Sequence, residues 1–184
     1  MAMIINKKIK CQCMARILQF FCPTALFKLQ TETYPPPLVL GYLEKILQKK
    51  GHDITSIDAN NYGLFRFNRN NYSEEILEAF INDFKKINPE ILIISSWSYG
   101  IPFAIETIKR VKGISNAKVI LGGYNATFLP KKTMEMTNAD IIFSGNNLFE
   151  LSEIIERAIK GKQGIIYEKK NLDIQKLQVI NFFG

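Results

Sequence analysis

The sequence predicts a three-layer α/β sandwich: a five-stranded parallel sheet with helices on both faces. Three observations lead there. Short apolar runs of strand length alternate with segments of helical period along the 184 residues, the pattern of repeated strand–helix units. Each run has the length of a buried strand. With 47% hydrophobic and 22% charged residues, the chain can bury one sizeable core but is short for two, since a domain takes about 100 to 200 residues.

The first strand is "ARILQFF" (15–21). A helix follows on Val39, Leu43, Ile46 and Leu47, whose spacings of three and four give one apolar stripe; Pro37 can open it, and Gly51 in "KKGHD" stops it. The second strand is "DITSID" (53–58), followed by a helix on Ile76, Phe80, Ile81 and Phe84. The third is "EILIIS" (90–95), with a helix on Ile101, Ala104, Ile105 and Ile108 that Pro102 can open. The fourth, "AKVIL" (117–121), leads to a weaker helix, "PKKTMEMT". The fifth, "ADIIF" (139–143), leads to a helix on Leu151, Ile154, Ile155 and Ala158. Right-handed crossovers join such strands, and ligands bind beyond their carboxyl ends. The loops to read are therefore 22–36, 59–72, 96–101, 122–129 and 144–147.

Composition removes several function classes. The net charge is +7, but the lysines are scattered as pairs at 7–8, 49–50, 85–86, 131–132 and 169–170. That is a solvated surface rather than a basic stripe, so no nucleic-acid partner is expected. Cys11, Cys13 and Cys22 are odd in number and crowded into the first 22 residues, unlike a secreted disulfide framework; a reducing cytoplasm is the simpler reading. Gln19 and Pro23 break the first apolar run and no cleavage pattern follows it. No apolar segment reaches about 18 residues, so no membrane span is expected.

Within the ligand loops, Ser95, Ser96 and Ser98 place hydroxyls at the binding edge, and Trp97 and Tyr99 add flat aromatic faces. Trp97 has two readings, packing the loop against the core or facing a ligand, and its position at the binding edge favours the ligand. Gly122 and Gly123, before Tyr124, Asn125 and Thr127 in "VILGGYNATFLP", either turn the chain or let a ligand approach bare backbone. No G-x-G-x-x-G follows a strand and no G-x-x-x-x-G-K-[ST] occurs, so the usual phosphate cradles are missing. His52 is the only histidine and falls between a helix end and a strand, opposite the ligand loops; Ser-His and Cys-His nucleophile systems are thereby excluded. Cys11 and Cys13 are too few for a closed metal site. Asp58, Asn60 and Asn61 suit a polar ligand or an ordinary turn, with the turn preferred. No paired acid and base stand out, which disfavours a small enzyme using another cofactor such as flavin.

The segments "YPPPLVLGYLEKILQKKGHDITSIDANNYG", "PEILIISSWSYGIPFAIETIKRVK" and "AKVILGGYNATFLPKKTMEMTNADIIFSGNNLFEL", taken in this order, resemble the N-terminal cobalamin-binding domain of B12-dependent radical SAM enzymes. The resemblance runs from about residue 15 to the end. It implies a flavodoxin-like (Rossmann-like) domain of 15–168, preceded by an extension (1–14) and followed by a tail or linker remnant (169–184). It also implies cobalamin at the carboxyl edge of the sheet, its nucleotide tail running down between loops. The family's Ser-x-Leu after the third strand looks like Ser95-Ser96-Trp97 here, and its Gly-Gly after the fourth like Gly122-Gly123. The cofactor-binding residues so implied are Ser95, Ser96, Trp97, Ser98, Tyr99, Gly122, Gly123, Tyr124, Asn125, Thr127 and Gly145.

Two departures shape the expectation. The Asp-x-His-x-x-Gly motif, whose histidine ligates cobalt in methionine synthase and the mutases, should follow the first strand, where this chain has "CPTALF"; base-off cobalamin without a protein histidine is therefore expected. The family's Gly-Glu-Gly-Glu after the fifth strand is "SGNNLFE" here, keeping Gly145 but replacing the rest with Asn146, Asn147 and Leu148. No C-x-x-x-C-x-x-C occurs, so no iron–sulfur cluster is expected on this chain. The expectation is a cobalamin-binding domain or subunit, not a complete enzyme alone, that positions the corrin for a separately encoded radical SAM protein. The alternative is a degenerate domain that keeps the fold and acts in protein interaction or regulation, with Phe182-Phe183 as an apolar docking tail.

Overall fold

The computed structural model describes residues 14–23, 37–62, 74–161 and 163–167. Cys11, Cys13, most of the 22–36 and 59–72 loops and the 169–184 segment lie outside the described residues. The strands are β1 (Arg16–Phe21), β2 (Asp53–Asp58), β3 (Ile91–Ser96), β4 (Lys118–Gly123), β5 (Ile141–Ser144) and β6 (Gly164–Tyr167). The helices are α1 (Leu38–Lys49), α2 (Glu74–Ile87), α3 (Ile101–Ile114), α4 (Tyr124–Phe128), α5 (Pro130–Thr137) and α6 (Leu148–Ile159). All strand pairs are parallel, in the order β2-β1-β3-β4-β5-β6. This is the doubly wound order with one strand added at the edge.

The sheet buries both faces because alternate side chains point to opposite sides. On one side Leu18, Phe20, Leu92, Ile94, Val119 and Leu121 meet α2 and α3 through Phe80, Phe84, Phe103 and Ile108. Phe20 lies with its ring centroid 4.2 Å from Phe80 and 6.0 Å from Phe103. On the other side Ile17, Ile93, Ile120 and Ile141 meet α1 and α6 through Leu43, Leu47, Leu151 and Ile155. Ion pairs knit each helical layer. Lys50 beside α1 reaches Glu156 of α6 at 3.0 Å, and Arg110 of α3 holds Glu78 of α2 at 2.5 Å and also pairs with Glu74.

Three corrections to the sequence reading bear on the site. The sheet has six strands rather than five: "GIIY" pairs with β5 in register Ile142↔Ile165, a run too short and too close to the tail to stand out by pattern. Gly122 and Gly123 are the last residues of β4, paired with Ser95 and Ser96, not a turn beyond it. Helix α4 begins directly after them, within the expected 122–129 loop; its five residues show no helical apolar period.

Candidate functional site

A cavity of about 430 Å³ opens at the carboxyl edge of the sheet, on the face covered by α1 and α6. Its floor is the ends of β1, β3 and β4, contributing Gln19, Phe21, Ile93, Ser95, Ile120 and Gly122. Its sides are the first turns of the two helices, with Val39, Leu40 and Leu43 from α1 and Leu148 and Leu151 from α6. Helix α1 follows β1 and α6 follows β5, so both helices start at the carboxyl edge of the sheet, and residues near their starts line the opening. The size suits a small-molecule or cofactor site, as does the mostly apolar wall with few polar groups.

Of the residues singled out in the sequence, Ser95, Trp97, Gly122, Gly123, Tyr124, Thr127 and Gly145 belong to the cavity wall. Ser96, Ser98, Tyr99 and Asn125 lie outside it. The split follows from the strand period: Ser95 is on the Ile93 side of β3, whereas Ser96 shares the Ile94 side. Ser96 is buried and its hydroxyl donates to the Trp97 carbonyl at 2.9 Å. Ser98 donates to Asn125 Oδ1 at 2.6 Å, which ties the turn after β3 to α4. Thr127 donates to the Gly123 carbonyl at 2.9 Å, and Ser144 to the Thr127 carbonyl at 3.0 Å, which hold α4 against β4 and β5.

The two glycines differ. A Cβ on Gly122 would meet nothing nearer than Phe143 Cδ1 at 4.0 Å, so it would project into open cavity. Gly123 has φ +108°, and a Cβ there would stand 2.1 Å from the Ser96 carbonyl oxygen. Gly123 is thus required by the backbone, and Gly122 leaves room.

At the mouth, Trp97, Tyr124 and Phe128 form an exposed aromatic row. Trp97 meets Tyr124 edge-on at 5.8 Å, and Tyr124 stacks on Phe128 at 6.2 Å. Phe128 is 72% exposed, so this row presents apolar faces to whatever enters.

Several wall residues escaped the sequence reading. The α1 and α6 side chains were legible as a core stripe only. Gln19 is the one uncharged polar residue inside "ARILQFF", which also holds Arg16, and that is the available signal. It is 1% exposed. Its Nε2 donates to the Leu40 carbonyl at 2.7 Å and to Ser56 Oγ at 2.5 Å, and Ser56 in turn donates to a Glu44 carboxylate oxygen. Its Oε1 is buried without a partner.

The other candidates sit elsewhere. His52 precedes β2, at the amino edge, where it is buried and its Nδ1 accepts from Ala15 N at 3.4 Å. Burial lowers its pKa, with Glu156 opposing. Asp58 accepts from Asn60 N and Nδ2 at 3.0 and 2.7 Å, closing a turn after the edge strand β2. The Cys22 thiol, fully buried at the end of β1, is pushed up to about 12 by burial and is a neutral thiol, not a nucleophile. Asn147 caps α6 by accepting from Phe149 N and Glu150 N. No group of three His, Cys, Asp or Glu able to hold a metal ion occurs among the described residues, nor a helix long and apolar enough to cross a membrane.

Comparison with known proteins gives these features a context. The model of the B12 binding domain family matches residues 27–151. No curated protein matches by sequence. Among solved structures, the radical S-adenosylmethionine methyltransferase TsrM from Kitasatospora setae, with cobalamin and a [4Fe-4S] cluster bound, aligns with a TM-score of 0.57 at 15% identity, over 82% of this chain and 25% of that one. OxsB, a cobalamin-dependent S-adenosylmethionine radical enzyme with aqua-cobalamin bound, aligns with a TM-score of 0.50 at 15% identity, over 67% and 16%. At these identities the likeness is one of fold, and this chain spans a quarter or less of the length of either.

Proposed function

The chain belongs to the B12-binding domain family, and on that premise we propose that it holds cobalamin at the carboxyl edge of its sheet, with the nucleotide tail in the cavity beneath α1 and α6. The observation that carries this reading is the cavity itself, floored by bare backbone at Gly122 where any larger residue would intrude. One further feature fits the group: Ser95 lines the same wall and brings a hydroxyl that can donate to a ring nitrogen of the tail base. Leu40, Leu43 and Leu151 would flank the tail base, and Trp97, Tyr124 and Phe128 would border the corrin. Ser96, Ser98 and Asn125 would support the site by holding its loops together.

A tail lodged in the cavity would leave the cofactor base-off, and the single histidine, at the opposite edge of the sheet, would not serve as a cobalt ligand. Cobalamin, when bound, supplies a cobalt centre able to carry a methyl group or exchange single electrons; this chain orients it and excludes water from the tail. The unit of 15–168 would serve as a domain or subunit, presenting the corrin to a separately encoded radical SAM protein. Purified protein mixed with hydroxocobalamin should co-elute with it and shift its visible spectrum. Absence of binding at high micromolar cobalamin contradicts the reading.

The exposed aromatic row favours a second reading, a domain that keeps the fold but works by protein interaction. Recovery of an unrelated partner without bound corrin supports it; recovery of a radical SAM protein supports the first.

A further inference from the structure

The polar group at the floor of the cavity is oriented by a chain of hydrogen bonds that leaves it one unmet need. A Glu44 carboxylate oxygen accepts a hydrogen bond from the Ser56 hydroxyl, so Ser56 Oγ can only accept from Gln19. The Leu40 carbonyl is likewise an acceptor, 2.7 Å from Gln19 Nε2. Both amide protons are therefore committed, and the reversed amide would set Oε1 against the Leu40 carbonyl. The side chain is held with Oε1 as the unpartnered acceptor of a residue that lines the mostly apolar cavity and is 1% exposed. A ligand that packs against Gln19 without a donor leaves this buried acceptor unpaired.

We propose that Gln19 selects among cobamides by their lower base, favouring a base with an N–H donor, such as the amino group of adenine, over 5,6-dimethylbenzimidazole. The inference rests on the cobamide reading of the cavity. Dimethylbenzimidazole, linked to its ribose, offers a nitrogen lone pair and two methyl groups but no N–H. Adenine in the same place offers both a lone pair, which Ser95 can meet, and an amino group for Gln19 Oε1. A site built to accept a hydrogen bond discriminates against an analogue that cannot donate one more strongly than an apolar pocket discriminates by size.

The test is a set of equilibrium titrations, read by visible spectrum, with four corrinoids: the adenine cobamide, the purine cobamide that lacks only the amino group, cobalamin, and cobinamide, which lacks the nucleotide tail. Adenine cobamide should bind about tenfold or more tighter than purine cobamide or cobalamin. Gln19→Leu should erase that difference by weakening the adenine form alone. Equal affinities for the adenine and purine forms, or a preference that survives Gln19→Leu, overturns the selectivity while leaving the cobamide reading standing. Binding of none of the four overturns both. The adenine–purine comparison uses the wild-type chain, so it decides the matter even where Gln19→Leu does not fold.

Discussion

Gly122 and Gly123 stand side by side in β4 yet answer to different demands. Gly122→Val adds atoms toward the cavity, where the nearest neighbour of its Cβ is Phe143 at 4.0 Å. It should abolish cobalamin binding in a spectral titration while the thermal midpoint stays near wild type. Gly123→Ala faces a positive φ and a contact with backbone; it should lose at least about 1–3 kcal/mol in chemical denaturation. His52 makes a prediction of another kind. Its folded pKa lies below the ordinary value of 6.5, chiefly through burial, with Glu156 opposing the shift and Lys50 adding to it. Below 6.5 the unfolded chain takes up the proton first, so His52's contribution is complete above that value and is lost as pH falls. Urea midpoints should drop between about pH 7.5 and about pH 5.5, and drop less in His52→Gln.

The helices and strands show where pattern sufficed and where it did not. The α2 stripe of Ile76, Phe80, Ile81 and Phe84 was legible because burial on one sheet face imposes a 3.6-residue period. Helix α5 spans the residues of "PKKTMEMT", opened by its proline. Helix α4 and strand β6 were not legible. One is a single turn held by Thr127 and Thr133 hydrogen bonds, and the other is an edge strand of four residues; tertiary contacts make both. The site was partly legible for the same reason. Ser95 and the glycines are displayed in β3 and β4, whereas the cavity arises where the starts of α1 and α6 meet the strand ends, which no local pattern encodes, and Gln19 matters through partners 21 and 37 residues away. Asn147 offers a check at this scale. It accepts from two backbone N–H groups at the start of α6, 3.1 and 3.3 Å away, so Asn147→Ala should cost about 1 kcal/mol of stability. Because α6 walls the cavity, its corrinoid affinity should fall too.

At the scale of the molecule, the six strands and the helices of the described residues make a platform whose carboxyl edge carries the cavity and the aromatic row. A ligand bound there by the folded state alone must stabilise it, by about 2.7 kcal/mol when free ligand is a hundredfold above its dissociation constant. The most direct test is a titration of the purified protein with hydroxocobalamin, followed by visible spectrum and gel filtration. A saturable spectral change, one corrinoid carried with each chain, and loss of both in Gly122→Val are the predicted results. A corrinoid that elutes free of the protein at high micromolar concentration, or that binds Gly122→Val equally well, contradicts the account.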